Sequence, residues 1–483
     1  MSEQILLQGK ILGTEDFLLA VPAEGRPVRS AGEELLAGKS QWISLLCEVL
    51  PRALLNELGL ARILLGSSGG GQFLVVLPGE AREAAENFLT AAAVQISELS
   101  GGLVRLTWAV TDNLGDWAVI RRRLNDQLQA QRNAPLAAAP NSAFAPYAPV
   151  IAGPADPYFA KELGAKVREA SKISWSPDNP GQVTAGEGKY SWSLTSNISP
   201  DGIMVARHTA PSDDGKQSAP VQTLARRSQG RSAWGVLRGD VDNFGLRLRR
   251  VHSIEDHVPL SLLFKQFFAG ELEVLCSMPE FWRKVSIIYS GGDDFAVYGS
   301  WDALIALARE VQRLFHRFTE ENLKDYPGAE GKTITMAIAL APEIYFPLAA
   351  VYEEAGRNLE LAKSSDKDCI YLLGRILEWR HLNDAADLKD TVTRLIHDFR
   401  MSKLFLYQLR SFYRRDAYGE DVERQRKWSF QRRFNRILSG TRDREFQKLR
   451  SHLISELGGK KSAEVKLRPA GLVALEWARL ITE

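Results

Sequence analysis

Residues 286–311 decide the fold of this chain, and they read SIIYSGGDDFAVYGSWDALIALAREV. A short apolar run leads into a glycine-rich turn, a second apolar run and a segment whose apolar residues recur with helical spacing. Two adjacent glycines permit a tight hairpin turn, because they adopt backbone angles that are strained for other residues. The stretch therefore predicts a strand, a turn, a second strand and an amphipathic helix.

A related stretch begins at Ile63 and reads ILLGSSGGGQFLVVLPGEAREAAENFL. Three of its residues, Gly69, Gly70 and Phe73, align with Gly291, Gly292 and Phe295. Each copy is followed by a further apolar run, 103–110 in the first and 333–340 in the second. The repeat predicts two related domains that can pack face to face.

The segments around the second copy complete a pattern. A strand is predicted over 234–241 (WGVLRGDV), helices over 259–276 and 348–363, and a strand over 369–373. The order β-α-β-β-α-β is that of a ferredoxin-like core, the frame of palm domains. We therefore expect an α+β chain with two ferredoxin-like palm domains. The predicted domains are a degenerate first palm (1–130), a middle linker domain (131–232), a second palm (233–375) and a C-terminal helical basic domain (376–483).

The second hairpin carries two adjacent carboxylates, Asp293 and Asp294, after Ser290, Gly291 and Gly292. Neighbouring carboxylates raise each other's pKa, so folding alone does not favour them at one turn. A divalent cation resolves the conflict, and oxygen ligands suit Mg²⁺ (or Mn²⁺). The alternative is an ordinary solvent-exposed turn, since Asp and Gly are common there.

Asp240 ends the strand that begins at Trp234. In a β-α-β-β-α-β sheet this strand lies beside the hairpin, so Asp240 can reach the cation held by Asp293 and Asp294. Carboxylates from adjacent strand ends form the two-metal sites of phosphoryl transfer. We therefore predict that these three residues are catalytic metal ligands. The predicted nucleotide contacts nearby are Ser290, Gly291, Gly292 and Asn243.

Three further residues are candidate nucleotide contacts. Lys363 can place a positive charge near phosphates, although by sequence alone a plain cation at a helix C-terminus is the more common explanation. The first copy has Gly71 and Gln72 in place of the paired aspartates, so it cannot bind metal in the same way. The amides of its turn, at Gly70 and Gly71, can still hold a nucleotide. The alternative is a purely structural partner domain.

The bulk composition excludes several classes of protein. The chain has 483 residues, of which 45% are hydrophobic and 25% charged, as in ordinary globular proteins. No run of 18 apolar residues appears, so no spanning helix is expected. The three cysteines form no CxxC pair, which argues against a disulfide framework and a zinc site. A reducing, cytoplasmic location is therefore expected.

Charge is unevenly spread along the chain. Residues 391–470 hold 20 Lys and Arg against 9 Asp and Glu, or +11, while the whole chain carries only +2. Such a basic end suggests contact with a polyanion such as RNA, although a solvated helical face is the alternative. The aromatic residues among these arginines are more often core than base-stacking platforms.

With these motifs, the chain resembles the large polymerase/cyclase subunit of type III CRISPR effector complexes. The resemblance is carried by four segments: GDVDNFG (239–245), YSGGDDFAVYG (289–299), GGGQFLVVLP (69–78) and YEEAGRNLELAK (352–363). It spans about residues 1–130 and 231–375. The pairing of GDVDN with GGDD beside a degenerate earlier copy is specific, whereas GGDD alone is not.

The resemblance implies an activity. Such subunits bind two ATP molecules between their palms and join them 3′–5′ into cyclic oligoadenylates once target RNA is bound. It implies Asp240, Asp293 and Asp294 as metal ligands and Lys363 as a triphosphate contact. It also implies partners: guide RNA, target RNA, and the backbone and small subunits of a ribonucleoprotein, with no membrane.

Two departures from the family pattern set further expectations. Many members begin with an HD nuclease domain, whereas this sequence starts at the first palm, and its one His-Asp pair, His397-Asp398, falls in a helical segment. No HD nuclease activity is therefore expected. The family's zinc-binding cysteines between the palms are also missing, so packing alone is expected to hold the middle domain.

Two rival interpretations remain. A diguanylate cyclase of the GGDEF type uses the same fold, but it normally works as a homodimer of single palms and has Glu where this chain has Asp294. A non-enzymatic scaffold subunit could keep the palm for its shape alone. The intact Asp240, Asp293 and Asp294 argue against the scaffold, because their mutual repulsion has no structural benefit.

Overall fold

The computed structural model describes residues 4–20, 31–138, 155–196, 199, 202–413, 424–438, 443–458, 464–466 and 468–483. The chain divides into two compact units. The first consists of residues 1–224, 240–299 and 306–333, and the second of 225–239, 300–305 and 334–483. Most of the Ala- and Pro-rich stretch predicted as a linker, 139–154, lies outside the described residues.

The first palm is a four-stranded antiparallel sheet flanked by helices, in the strand order β2-β3-β1-β4. This is the ferredoxin-like order, with the first strand in the interior of the sheet. Its elements are β1 (Gln4–Leu12), α1 (Thr14–Leu19), α2 (Ala31–Glu57), β2 (Leu65–Gly69), β3 (Gln72–Pro78), α3 (Arg82–Leu99), β4 (Arg105–Asp112) and α4 (Trp117–Ala138).

The middle segment forms a small sheet in the order β6-β5-β7-β8. Its elements are β5 (Lys172–Trp175), β6 (Thr184–Ala185), β7 (Tyr190–Thr195), β8 (Gly202–Met204) and α5 (Val221–Arg226). A π-helical turn, Tyr158–Gly164, packs on α2 so closely that a Cβ atom at Gly38 would lie 1.7 Å from the carbonyl oxygen of Phe159. Trp42 of α2 is fully buried there against Phe159, as expected for a domain held by packing.

The second palm repeats the order of the first, as β10-β11-β9-β12, and extends it with two more strands. Its elements are β9 (Trp234–Val241), α6 (Phe244–Arg249), α7 (Ile254–Lys265), α8 (Leu272–Cys276), β10 (Val285–Ser290), β11 (Asp294–Ser300), α9 (Trp301–Asn322), β12 (Ile334–Leu340), α10 (Leu348–Ser364), β13 (Cys369–Leu372) and β14 (Arg375–Glu378). Both palms predicted from the repeat are thus present.

Two boundaries predicted from the sequence were wrong. The helix predicted over 259–276 begins at Ile254, because Ser253 caps it by accepting the amide of Asp256, and it runs through a π-helical turn to Cys276. The chain was expected to be helical from Ile376, but β14 pairs with β13 first. Leu373 and Gly374 both have positive φ, the geometry of a two-residue hairpin turn.

The C-terminal segment is mainly helical, as predicted. Its elements are α11 (Trp379–His397), α12 (Leu404–Arg410), β15 (Arg424–Arg426), α13 (Lys427–Ile437), α14 (Arg444–Gly458), β16 (Glu464–Lys466) and α15 (Pro469–Thr482). Phe412 and Phe434 are fully buried, as predicted for core aromatics, whereas Tyr407 is 50% exposed. In the part of the chain that the structure describes, no helix is long and apolar enough to cross a membrane.

Candidate active site

The glycine turns of the two palms are in direct contact. Gly70, in the turn between β2 and β3, has φ +60, and a Cβ atom there would lie 2.7 Å from the amide nitrogen of Gly292. That distance is shorter than any ordinary van der Waals contact, so only glycine lets the two backbones approach this closely. The degenerate turn of the first palm therefore sits directly against the GGDD turn of the second.

Reciprocal packing of helices holds the two turns in this arrangement. Helix α2 of the first palm packs against β10 of the second, and α7 of the second palm packs against β2 of the first. Each palm thus covers the outer hairpin strand of the other. This arrangement confirms that the two copies pack face to face, as the repeat predicted.

The two hairpins are built alike. A break in register falls between Leu65 and Ser67 in the first hairpin and between Ile287 and Tyr289 in the second. Ser68 pairs with Phe73, and Ser290 pairs with Phe295, so the alignment read from the sequence holds residue by residue. A β-bulge bends a strand and re-aims its side chains, and the bulge falls at the equivalent point of both hairpins.

Asp240 and Asp293 come from neighbouring strands, as predicted. The amide of Val241 donates to the carbonyl oxygen of Asp293 at 2.9 Å, which ties the end of β9 to the start of β11. Both side chains are half-buried. Two carboxylates on adjacent strand ends produce the local negative charge that a divalent cation neutralises.

Asp294 is held by its own hairpin. The hydroxyl of Tyr289 donates to its Oδ2 at 2.9 Å. Its Oδ1 folds over the backbone of Gly291, where a Cβ atom would lie only 2.5 Å away. Gly291 is therefore needed for the placement of this carboxylate, and Tyr289 fixes its orientation.

Asp242 has a different environment from Asp240. It is 3% exposed, its Oδ2 accepts the hydroxyl of Thr333 at 2.7 Å, and its amide donates to the carbonyl oxygen of that residue at 2.9 Å. These bonds join the end of β9 to the start of β12. Asp242 is a structural carboxylate, and the next residue, Asn243, is exposed with φ 58, a conformation that asparagine tolerates.

A buried arginine fixes the segment that follows. Arg247 of α6 is 2% exposed and donates to three carbonyl oxygens, those of Pro327, Gly328 and Glu330, at 2.6–2.9 Å. In the same loop, the amide of Gly331 donates to the carbonyl oxygen of Asp242 at 2.8 Å. The loop that precedes β12 therefore holds in place the backbone that follows Asp240.

The serines of the two turns anchor them to helices. Ser290 donates to the carbonyl oxygen of Phe268 at 2.6 Å, in the helix of its own palm. Ser68 donates to Glu48 Oε2 at 2.9 Å, in α2 of its own palm. The hydroxyl hydrogen of Ser290 is therefore used within the fold, and the role of Ser290 as a nucleotide contact stays a prediction.

Other predicted contacts lie at different points of the chain. Lys363 is in the last turn of α10, with its Nζ 3.5 Å from Glu360 Oε1, and its contact with a triphosphate stays a prediction. Gly71 has φ +74, and its carbonyl oxygen accepts the amide of Ile11 at 2.8 Å. Gly71 and Gly70 thus form the turn that faces the catalytic hairpin, and their nucleotide binding is likewise a prediction.

The donor set fits a cation that is shared with substrate. Among the described residues no group of three or more His, Cys, Asp or Glu side chains is arranged as a complete metal site. Mg²⁺ is usually held by one or two carboxylates, with water and substrate phosphates completing its coordination. Asp240 and Asp293 are the predicted pair of this kind, and the metal-ligand role of these two residues and of Asp294, whose carboxylate accepts a bond from Tyr289, stays a prediction.

Sequence reasoning missed Tyr289, Thr333 and a buried ionic cluster around Glu48 and Lys265. Tyr289 could not be singled out because its role depends on how the Asp294 side chain turns. The cluster had a visible signal. Glu48 stands in the apolar run LLCEVL and Lys265 in LSLLFKQFF, and a single charge within an apolar helical face is commonly paired with another buried charge.

Comparisons with known proteins agree with this architecture. Residues 233–371 match the family described as Cas10/Cmr2, second palm domain. The chain is 28% identical over 207 residues to the "CRISPR system single-strand-specific deoxyribonuclease Cas10/Csm1 (subtype III-A)" of Enterococcus italicus, a match that covers 41% of this chain and 25% of the relative. A Mycobacterium tuberculosis protein of the same description is 28% identical over 193 residues, or 33% of this chain and 23% of the relative. The chain thus matches about a quarter of the length of these curated relatives.

Solved structures share the fold over the whole chain. A Csm1–Csm4 cassette superposes with a TM-score of 0.71 at 17% identity, covering 100% of this chain and 70% of that one. The same cassette in complex with cA3 gives a TM-score of 0.70, and in complex with one ATP also 0.70, each at 17% identity. The resemblance to the large palm-domain subunit of type III CRISPR effector complexes is therefore confirmed, and residues 233–371 match the second palm domain of Cas10/Cmr2.

Proposed function

We propose that this chain is the nucleotidyltransferase subunit of a type III CRISPR effector complex and converts ATP into cyclic oligoadenylates when target RNA is bound. The observation that carries the proposal is the contact between Gly70 and Gly292, which sets a turn without carboxylates against a carboxylate-bearing one. Two turns in this arrangement can hold two nucleotides next to one set of carboxylates. The cassette structures that contain ATP and cA3 support this substrate and product class.

In the proposed reaction, the 3′-hydroxyl of one ATP attacks the α-phosphate of another, a new 3′–5′ phosphodiester forms and pyrophosphate leaves. Asp240 and Asp293 act from adjacent strand ends, tied by the bond from Val241. They would hold Mg²⁺ (or Mn²⁺), which when bound neutralises triphosphate charge and favours ionisation of the attacking hydroxyl. Asp294, oriented by Tyr289, adds a third carboxylate on the same hairpin.

The amides of the first turn are proposed to bind phosphate. Gly69, Gly70 and Gly71 all have positive φ, at 122, 60 and 74. Successive amides in such conformations form concave anion sites. Lys363 is proposed to add a positive charge at the triphosphate, as the family resemblance implies.

The test is a product assay with the chain assembled with its guide RNA and partner subunits. ATP, Mg²⁺ and target RNA are supplied, and the products are analysed by mass spectrometry. Cyclic adenylates that appear only with target RNA support the proposal. Conversion of GTP instead of ATP would indicate a diguanylate cyclase-like enzyme, and no product from either nucleotide would leave the scaffold interpretation.

The basic C-terminal segment is proposed to contact RNA or an RNA-bearing partner subunit. Of its three basic pairs, Arg414-Arg415 lies outside the described residues, the side chains of Arg426-Lys427 are not described, and Arg432 beside Arg433 is exposed. Counterion release would make such binding fall steeply with salt. A variant lacking residues after Ile376 that assembles with unchanged salt dependence would contradict this.

We expect no HD-type cleavage of single-stranded DNA by His397 and Asp398. Both are exposed at the end of α11, and Asp398 Oδ2 lies 3.3 Å from the Nε of Arg394. This placement confirms the interpretation of the pair as helix surface. Metal-dependent DNA cleavage that is lost in His397→Ala would overturn the expectation.

A further inference from the structure

A buried ionic cluster joins the two palms beneath their glycine turns. Glu48 of α2 is 1% exposed, and its Oε1 lies 2.6 Å from the Nζ of Lys265, at the end of α7. Its Oε2 lies 2.8 Å from Arg52 Nη1 and accepts Ser68 Oγ at 2.9 Å. The Nζ of Lys265 also donates to Ser68 Oγ at 3.3 Å. One carboxylate thus links a cation of the second palm to the base of the first palm's turn.

The electrostatics of the cluster favour the charged form of Glu48. Burial alone would raise the pKa of Glu48, but the charges of Lys265 and Arg52 outweigh burial and hold that pKa below its usual range. Burial is also the main reason why the pKa of Lys265 is lowered, although Glu48 opposes the shift. Removing Glu48 would leave two buried cations facing each other, so this carboxylate holds the cluster together.

A buried ion pair is seldom retained for stability alone, since apolar side chains of similar volume often stabilise a site equally well. Buried polar groups instead specify one arrangement, because a shifted interface leaves them unpaired. In the catalytic turn, Ser290 is anchored within its own palm, at the carbonyl oxygen of Phe268. The turn of the first palm is anchored to Glu48 and, through Lys265, to the second palm as well.

We propose that Lys265 and Glu48 are positioning residues that seat the first palm's turn at Gly70 against the catalytic turn at Gly292. The inference rests on the proposed nucleotidyl transfer, because the seating sets the distance between a nucleotide on the first turn and the carboxylates on the second. Lys265 acts through Ser68 and touches no reacting atom. Misplacing bound reactants by about 1 Å can cost about a hundredfold in rate.

The test compares Lys265→Met with Lys172→Met in the assembled complex. Lys265→Met removes the link between the palms but leaves Glu48 paired with Arg52, so the variant is expected to fold. The control residue, Lys172, lies in the middle domain and forms an exposed ion pair of similar length, with its Nζ 2.7 Å from Glu187 Oε1. Both substitutions delete the same charge, and only the first deletes a contact between palms.

Two readouts are measured. In Lys265→Met, hydrogen exchange is expected to accelerate about tenfold or more at the two turns, 68–73 and 290–295, while α9 exchanges as in the wild type. The kcat for ATP conversion is expected to fall about tenfold or more, with KM changed less than about threefold, because misplacement impairs the reaction more than binding. Lys265→Arg keeps the charge, so it is expected to retain most of the wild-type exchange protection at the turns and most of the wild-type kcat.

The outcomes are distinguishable. Hydrogen exchange at the turns that is the same in Lys265→Met and Lys172→Met overturns the inference. Faster hydrogen exchange at the turns of Lys265→Met with an unchanged kcat also overturns the inference, because the link between the palms would then be purely structural. A wild-type complex that forms no product from ATP overturns the proposed function, and the exchange data still decide whether the link seats the turns.

Discussion

The contact between the two turns can be tested by adding a single methyl group. Gly70→Ala places a Cβ atom 2.7 Å from the nitrogen and 3.1 Å from the Cα of Gly292. Both obstructing atoms belong to the backbone, so a change of side-chain rotamer cannot relieve the clash. The two turns have to separate by several tenths of an ångström, and the second palm's hairpin has to move with them.

A matched control isolates this effect. Gly101 has φ +63, close to the +60 of Gly70, but no atom lies within 4 Å of a Cβ atom there. Alanine in this left-handed conformation costs about 1–2 kcal/mol, partly offset by about 0.4–1 kcal/mol from the stiffer unfolded chain. Both variants share these terms. Overpacking adds about 1–3 kcal/mol to Gly70→Ala alone, so it should be less stable than Gly101→Ala by about that amount.

The assay is urea denaturation of the two variants, together with the rate of ATP conversion in the assembled complex. Gly101→Ala should retain wild-type conversion, since it lies in the turn between α3 and β4. Gly70→Ala should lose conversion about tenfold or more, because a shift of the turns displaces one nucleotide. Equal unfolding midpoints and equal conversion rates for the two variants would refute the proposed contact.

Three further outcomes are expected. The double variant Asp293→Ala, Asp294→Ala should fold and assemble normally yet lose about a thousandfold or more of ATP conversion, because cation stabilisation of several kcal/mol is removed. Asp242→Asn should lower stability by about 1–3 kcal/mol through the buried bond to Thr333, while a conversion loss as large as that of the double variant would show that Asp242 is catalytic. Burial lowers the pKa of His257 to about 4, so its contribution to stability is complete above pH 6.5 and is lost as pH falls towards 4. In His257→Gln, the free energy of unfolding in urea should therefore depend less on pH across that window. A pH profile identical to that of the wild type would contradict this.

The repeat could be predicted from the sequence because its signal is local. The strand, glycine turn, strand and amphipathic helix of each copy occupy fewer than about 40 consecutive residues, where periodicity is reliable. The position of Asp240 beside Asp293 also followed, since the ferredoxin-like order places β9 next to β11. The predicted site residues whose placement followed from the sequence are therefore those at the ends of regular strands.

The remaining features depend on side-chain directions and on distant partners. Asp240 and Asp242 are two residues apart and share a strand face by simple alternation, yet the turn at Asn243 directs Asp242 to Thr333. The link from Glu48 to Lys265 joins residues 217 positions apart in the sequence. A charged residue within an apolar helix indicates a buried partner, but it does not say which one.

The contact between the two turns explains why only one of them bears carboxylates. Both hairpins have a bulge at the equivalent point and an anchoring serine, and their turns come into direct backbone contact at Gly70 and Gly292. If the first turn also ended in aspartates, four carboxylates would surround the point where Gly70 meets Gly292. Their repulsion would raise their pKa values and oppose the approach of the turns before any cation was bound. With Gly71 and Gln72 at the first tip, the turns can pack tightly with a single pair of carboxylates, Asp293 and Asp294, beside the contact. The lack of carboxylates in the first palm's turn therefore permits the close contact on which the proposed two-nucleotide site depends.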